Sequence, residues 1–315
     1  MLTETEQLYL RPTTVPEALR LAAEHAADFS FIAGGTDVMV HRFQGNNRAG
    51  CLIDLSGLEE LNRVWIEDHT LKIGALIRLD DLKNYPEIVT RFPVLIAAAR
   101  AVGSPMIRKM GTIGGNVLCE NRCTYFNQSD FGRETVNFCL KSGGDICIAT
   151  GGPRACFSEF ASDTAPALIS LNAKVEIEDR NEVTVTPLED IYTGDGVAPR
   201  NLPKTALLKA IHLSLKGKYR SVFKKLSPRH SVDFTSLTMA ISLEAAGRMK
   251  IVLGGVNPKP VVITATVQDD PKKLIREALR QSKTVENDVY SRLYRREMIE
   301  VFLRRGWEGL VAKSD

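Results

Sequence analysis

Five of the six cysteines in this 315-residue chain lie between residues 112 and 166, at Cys119, Cys123, Cys139, Cys147 and Cys156. Their spacing is C-x3-C-x15-C-x7-C-x8-C. Thiolates are soft ligands, so a crowd of them in a Gly-rich stretch points to metal or redox chemistry. Zinc sites favour close C-x2-4-C pairs, often with histidine. Here only Cys119 and Cys123 are close, and no histidine falls between Leu76 and Leu207. An iron–sulfur cluster takes four cysteines, often at sparser spacing. Spacing alone leaves a cluster, a zinc site and unligated cysteines all open, with one cysteine spare for a four-thiol site.

Two glycine pairs are the next candidates. Gly34-Gly35 follows the apolar run FSFIA, and Gly114-Gly115 sits in GTIGGN. Residues without a Cβ let backbone amides converge into an anion nest suited to phosphate. A tight turn is the competing reading for either pair alone. Two such loops, each beside a threonine (Thr36, Thr112), can meet on opposite sides of one pyrophosphate. Neither G-x-G-x-x-G after a strand nor G-x-x-x-x-G-K-[ST] occurs, so the Rossmann and Walker fingerprints are absent. His212 and His230 stand alone, without an acid–base partner, so no catalytic residue is assigned.

The elements that position these residues are mixed. TTVPEALRLAAEHAA reads as a helix with a capping box from Thr14 to Glu17. CLIDLS, RVWIED and TLKIGAL read as strands, the last by its alternation. IRLDDLKNYPEIVTRF and PVLIAAARAV read as two helices, the second ending at Gly103. DTAPALISLNAKVEIED reads as a short apolar helix running into a strand. A strand-rich module with a turn at Gly254-Gly255 follows. From Asp270 the chain is helical; SRLYRREMIEVFLRRGW places Leu293, Met298, Val301 and Phe302 near one face and its arginines on a solvated face.

Bulk properties exclude several classes. The net charge is only +3, which gives no footprint for nucleic acid. No apolar run reaches about 18 residues, so no membrane helix is expected. The acidic start MLTETEQLYL has no apolar signal core, which points to the cytoplasm, where thiols stay reduced.

FIAGGTDV at 31–38, GTIGGN at 111–116, SDTAPAL at 162–168 and FKKLSPRHSVDF at 223–234 occur in an order that resembles the FAD-binding medium subunits of the xanthine dehydrogenase and carbon monoxide dehydrogenase family. Most members pass almost directly from TIGGN to the D-x-x-P-A-L segment. The roughly forty-residue insert here, with CTYFNQS and three later cysteines, resembles that of the 4-hydroxybenzoyl-CoA reductase beta subunits, where it holds a [4Fe–4S] cluster.

The resemblance implies an α+β fold: a two-part FAD-binding domain of the PCMH/VAO type at 1–215, carrying the [4Fe–4S] insert at about 119–160. A smaller C-terminal domain at 216–315 follows, with a short antiparallel sheet and helices. It implies Cys123, Cys139, Cys147 and Cys156 as cluster ligands, Cys119 as the spare, and Cys51 as a small core residue. For FAD it implies Ile32, Ala33, Gly34, Gly35, Thr36 and Asp37 on one side of the diphosphate, and Thr112, Gly114, Gly115 and Asn116 on the other. Asp163 would accept from ribityl or ribose hydroxyls, or cap the helix after it. Val102 would line the wall, Thr124 would touch flavin, and Lys225, with Lys224 as rival, would stabilise the reduced ring.

The implied partners are a large molybdenum-cofactor subunit, a small subunit with two [2Fe–2S] clusters, and an external carrier such as ferredoxin or NAD, in a dimer of heterotrimers. The chain would then be the electron-transfer part of an oxidoreductase. Two alternatives stand beside the reductase reading: the FAD subunit of an oxidising xanthine- or CO-dehydrogenase-type hydroxylase, and a zinc-stabilised scaffold without redox chemistry.

Overall fold

A computed structural model describes residues 7–180, 182–229 and 232–311. His230 lies outside the described residues. The chain opens with a three-stranded parallel sheet of β1 (Leu8–Leu10), β2 (Phe29–Ile32) and β3 (Cys51–Asp54), in the order β1-β3-β2. Parallel strands need crossovers: the helix Val15–Glu24 links β1 to β2, and the helix Val38–Phe43 links β2 to its neighbour β3. Thr14 caps the first helix by accepting from the Glu17 amide at 3.3 Å. The expected capping box is only half made, because the Glu17 carboxylate takes the amide of Thr13 at 2.8 Å instead of that of Thr14. The helix buries Val15, Ala18, Leu19 and Ala22 against Phe29, Ile53 and Cys51, which is indeed a small core residue.

Asp54 ends β3 and receives the Tyr9 hydroxyl at 2.6 Å and the Ser56 amide at 2.9 Å. Burial alone would raise its carboxyl, but these hydrogen bonds outweigh it and hold the pKa below the ordinary value. A folded pKa below the unfolded one gives stability that is complete above the unfolded value and lost as pH falls through the folded one. Tyr9→Phe is expected to remove about 1 kcal/mol at neutral pH and less in acid. Urea unfolding at two pH values checks this.

The second sheet is antiparallel, with β4 (Val64–Glu67), β5 (Thr70–Gly74), β6 (Lys174–Asp179), β7 (Glu182–Pro187) and β8 (Leu207–Ser214) in the order β4-β5-β8-β6-β7. Its inner face packs on the helices Pro93–Ala101 and Thr164–Ser170. The stretch before them, read as one helix, is broken into a 3-10 turn at Asp81–Asn84 and a helix at Pro86–Arg91. Pro86 has no amide to continue the first piece and pushes Tyr85 into an extended conformation.

The third sheet joins β9 (Tyr219–Leu226), β10 (Leu237–Glu244), β11 (Arg248–Gly254) and β12 (Val261–Thr266), antiparallel, in the order β12-β11-β10-β9. From Leu237 to Leu243 every residue of β10 is buried, because helices cover both faces. Met239, Ile241 and Leu243 meet the C-terminal helices Pro271–Gln281 and Arg292–Val311, while Ala240 faces the core of the second sheet. The last helix corrects the sequence reading: Ile299, Phe302, Leu303 and Leu310 are buried, while Leu293 is 66% exposed and Arg295 is 0% exposed. Among the described residues no helix is long and apolar enough to cross a membrane.

Candidate functional site

The two glycine loops meet. A Cβ on Gly34 would lie 1.9 Å from the carbonyl oxygen of Met110, and one on Gly111 would lie 3.3 Å from Thr36 Oγ1. Gly35 has φ +70°, which an L side chain adopts at a cost. Beside this contact opens a cavity of about 460 Å³, within the range of small-molecule sites. Ala33, Gly34, Gly35, Thr36 and Asp37 form one wall, and Thr112, Gly114, Gly115 and Asn116 another. Val102 and Asp163 line it as expected. Leu55, Leu76, Leu79 and Ile107 make its apolar part.

The loops are not equivalent. Among the described residues the amides of Gly35, Thr36 and Asp37 donate to no protein group, so they remain available to an anion. In the second loop Gly114 N donates to Ala75 O at 2.9 Å, Asn116 N to Thr112 O at 2.9 Å, and Gly115 N to Thr112 Oγ1 at 3.1 Å. Asn116 Oδ1 accepts from Ser162 and Thr164, which turns its carbonyl away into the helix at 164–170. The second loop thus braces the first instead of mirroring it.

Asp163 does not cap its helix. Its carboxylate takes Lys225 Nζ at 2.7 Å and Thr238 Oγ1 at 3.0 Å. Burial pushes this carboxyl above its ordinary value, with Lys225 opposing. Lys225 spends its remaining donors on Ala101 O and Asp233 O and does not line the cavity; Lys224 is exposed on the same strand. Ile32 and Thr124 are also off the lining, Thr124 being exposed with its amide on Asn287 O at 3.2 Å. Sequence reasoning missed Val232, Asp233 and Phe234, which close the cavity from the third-sheet module. They end the motif FKKLSPRHSVDF, from which only Lys225 and Lys224 were singled out, and they reach the site through the tertiary fold.

Cys123, Cys139, Cys147 and Cys156 are all buried and free of disulfides. An antiparallel bridge between Arg122 and Glu159, with bonds of 2.9 and 2.7 Å, holds the two ends of the insert together. Cys123 and Cys139 share an apolar knot with Phe126. Burial pushes the Cys123 thiol up to about 11. Interaction between the Cys147 and Cys156 thiols lowers the Cys147 thiol and raises that of Cys156. The thiols thus stand as two pairs, and among the described residues no three metal-ligating side chains are grouped. Cys119 is apart from them, on the cavity wall.

Charged groups join cavity to insert: Asp37 was expected at the cavity, while Glu120, Arg122 and His41 were missed in the sequence. Asp37 accepts the Glu120 amide at 3.0 Å and pairs with Arg122. The Arg122 guanidinium covers the Phe234 ring at 4.3 Å. His41 is buried, 3.8 Å from Asp37 and tilted against Phe126, with centroids 6.0 Å apart. The only sequence sign of this junction is the run Glu120-Asn121-Arg122, charged and polar just before a cysteine.

Known proteins were compared with this chain. The family model described as FAD binding domain in molybdopterin dehydrogenase matches residues 3–214. The aldehyde oxidoreductase FAD-binding subunit PaoB of Escherichia coli K12 is 31% identical over 82% of this chain and 83% of its own length. The glyceraldehyde dehydrogenase medium chain of Sulfolobus acidocaldarius is 24% identical over 95% of this chain and 96% of its own. Among solved structures, reconstituted CO dehydrogenase from Oligotropha carboxidovorans superposes with a TM-score of 0.77 at 20% identity, covering 98% of each chain. That last likeness shows the fold.

Proposed function

The chain belongs to the family of FAD-binding domains in molybdopterin dehydrogenases, and from that premise we propose that it is the FAD- and [4Fe–4S]-carrying electron-transfer subunit of a 4-hydroxybenzoyl-CoA reductase-like enzyme. Binding of FAD and an oxidoreductase role come with the family. The cluster and the reductase assignment rest on one observation: an insert beside the FAD cavity holds four buried, unbridged thiols. Soft donors kept from water suit iron–sulfur ligation. The proposed division at about residue 215 falls between the second and third sheets, and reduced thiols fit a cytoplasmic setting.

Bound here, FAD supplies one- or two-electron exchange and a cluster supplies one-electron exchange. The protein binds and orients. The free amides of Gly35, Thr36 and Asp37 take the diphosphate oxygens, and the second loop holds the first in place. Asp163, fixed by Lys225 and Thr238, presents a carboxylate edge to the cavity that a sugar or ribityl hydroxyl can reach. Substrate chemistry belongs to partner chains: a molybdenum-cofactor subunit and a [2Fe–2S] subunit, with ferredoxin or NAD as the outer carrier.

A second reading is favoured by the relatives, which carry the names of oxidoreductases and dehydrogenases. In it the same flavin site passes electrons from an oxidised substrate to an acceptor. Metal and flavin content of anaerobically purified protein separates the readings. On the order of four irons and one FAD per chain, with a reduced-cluster EPR signal lost in Cys139→Ser, is the expected result. Flavin without iron leaves the second reading, and zinc without flavin overturns both.

A further inference from the structure

Resting on the FAD site described above, we propose that Arg122 is a positioning residue for FAD: from behind the cavity wall its guanidinium cancels the charge of Asp37, and so keeps the glycine loop open to a diphosphate. The cavity lining carries three carboxylates, Asp37, Asp163 and Asp233, and among the described residues no lysine, arginine or histidine. Three bare carboxylates would repel a ligand that brings phosphate charges. Each has a cation behind the wall. Lys225 pairs with Asp163 at 2.7 Å, Arg229 with Asp233 at 2.7 Å, and Arg122 with Asp37. The three pairs differ in weight. Arg229 is 70% exposed, so water screens its pair. Asp163 lies across the cavity wall from the free amides, on the side of the bracing loop. Asp37 alone belongs to the loop whose amides are free, and its own N–H is one of the three. A phosphate held there stands within one residue of the carboxylate.

Arg122 is mounted firmly for this task. Its backbone is clamped to Glu159 in both directions, at 2.9 and 2.7 Å. Its guanidinium lies 4.3 Å from the centroid of Phe234, another wall residue, and its side chain is only 10% exposed. A charge so far from solvent is little screened by salt. Neighbouring groups do not share the task. His41 stands 3.8 Å from Asp37, but burial, helped by the Arg122 charge, holds its pKa below the ordinary value, so it is neutral at neutral pH. Lys141 and Arg200 are engaged by Glu120, at 2.5 and 3.2 Å. The loop is already fastened to the insert without Arg122, through the Glu120 amide on Asp37 at 3.0 Å. The Nε of Arg122 is buried without a hydrogen-bond partner among the described residues. That cost argues against a group placed for its hydrogen bonds and for one placed for its charge.

Fluorescence titration of the flavin-stripped full chain with FAD tests this. Arg122→Gln leaves the Asp37 charge uncompensated and is expected to weaken FAD binding by about tenfold or more. Asp37→Asn keeps the shape and the acceptor for the Glu120 amide but removes the negative charge, and is expected to tighten FAD binding by about threefold or more. The two changes together restore neutrality, and affinity should return to within about threefold of the parent. A pair that served only as a fastening gives a different pattern: both single variants and the double variant bind weakly. Recovery in the double variant therefore supports the inference. Parent-like affinity in Arg122→Gln, or a double variant as weak as Arg122→Gln, overturns it. Should Arg122→Gln fail to fold, Asp37→Asn decides: tighter binding supports the inference, and unchanged or weaker binding overturns it. A parent chain that takes up no FAD fails the site reading itself and takes this inference with it.

Discussion

Gly34→Ala protein is expected to emerge from purification without FAD. The added Cβ would stand 1.9 Å from Met110 O and 2.5 Å from Met110 C, both main-chain atoms. No rotamer change relieves a clash with backbone, so one loop must retreat from the other. Overpacking of this kind costs about 1–3 kcal/mol. Retreat also spreads the free amides of Gly35, Thr36 and Asp37, which act on a phosphate only while they converge. FAD affinity should fall on the order of 100-fold or more, which is about 2.7 kcal/mol. Flavin absorbance per chain and a fluorescence titration with added FAD provide the readout. Gly309→Ala, with nothing within 4 Å of its added Cβ, is the control that should keep full flavin. Normal FAD content in Gly34→Ala would mean that the loop contact is not what builds the anion site.

Arg295→Ala should be the most destabilising single change in the C-terminal part, at about 3–5 kcal/mol. The guanidinium is fully buried and pairs with Glu159, with Gly255 O at 3.0 Å and Asn287 Oδ1 at 3.2 Å further donations. Truncation leaves the Glu159 carboxylate without a cation, in a place where burial already pushes its pKa well above the ordinary value. The loss is then felt through the bridge from Glu159 to Arg122, at the mouth of the cysteine insert. Under the proposed cluster reading, iron is then expected to be lost before the rest of the chain melts. Urea unfolding and iron content measured on one sample test both parts. Joint replacement, Arg295→Met with Glu159→Met, should recover much of the stability, because the stranded charge is gone. A loss below about 1 kcal/mol in Arg295→Ala would show that water reaches Glu159.

The parts of the fold that were legible in the sequence share one property: local residues decide them. The alternation of β5 states which face is buried, and the apolar run at 164–170 appears as a helix buried on every side. The glycine loops were legible because glycine is costly except where backbone must come close. Misreadings arose where distant residues decide. The helix at 292–311 looked solvated on its arginine face because arginines recur along it, yet Glu159, 136 residues away, draws Arg295 inside. Asp163 was read as a hydroxyl acceptor or a helix cap; it makes no cap and is engaged by Lys225 from β9 and Thr238 from β10. The expected symmetry of the two glycine loops failed for a similar reason. Ala75 O, at the end of β5, takes the amide of Gly114. The resemblance singled out Cys123, Cys139, Cys147 and Cys156 as a set, but their standing as two pairs was not legible in the sequence.

The clamp on the insert has a consequence for how the protein is made. Residues 119–159 are synthesised well before the groups that hold them. Asn287 Nδ2 closes on Phe157 O at 2.8 Å, its carbonyl takes the Thr124 amide at 3.2 Å, and Arg295 binds Glu159. A nascent chain that has not yet emerged past residue 295 carries its cysteines on an unfastened loop, open to any thiol-seeking reagent in the cell. Under the proposed cluster reading, delivery of iron and sulfide has an open window during translation. The docking of the last helix shuts it, and a cofactor delivered late has to enter against a closed clasp.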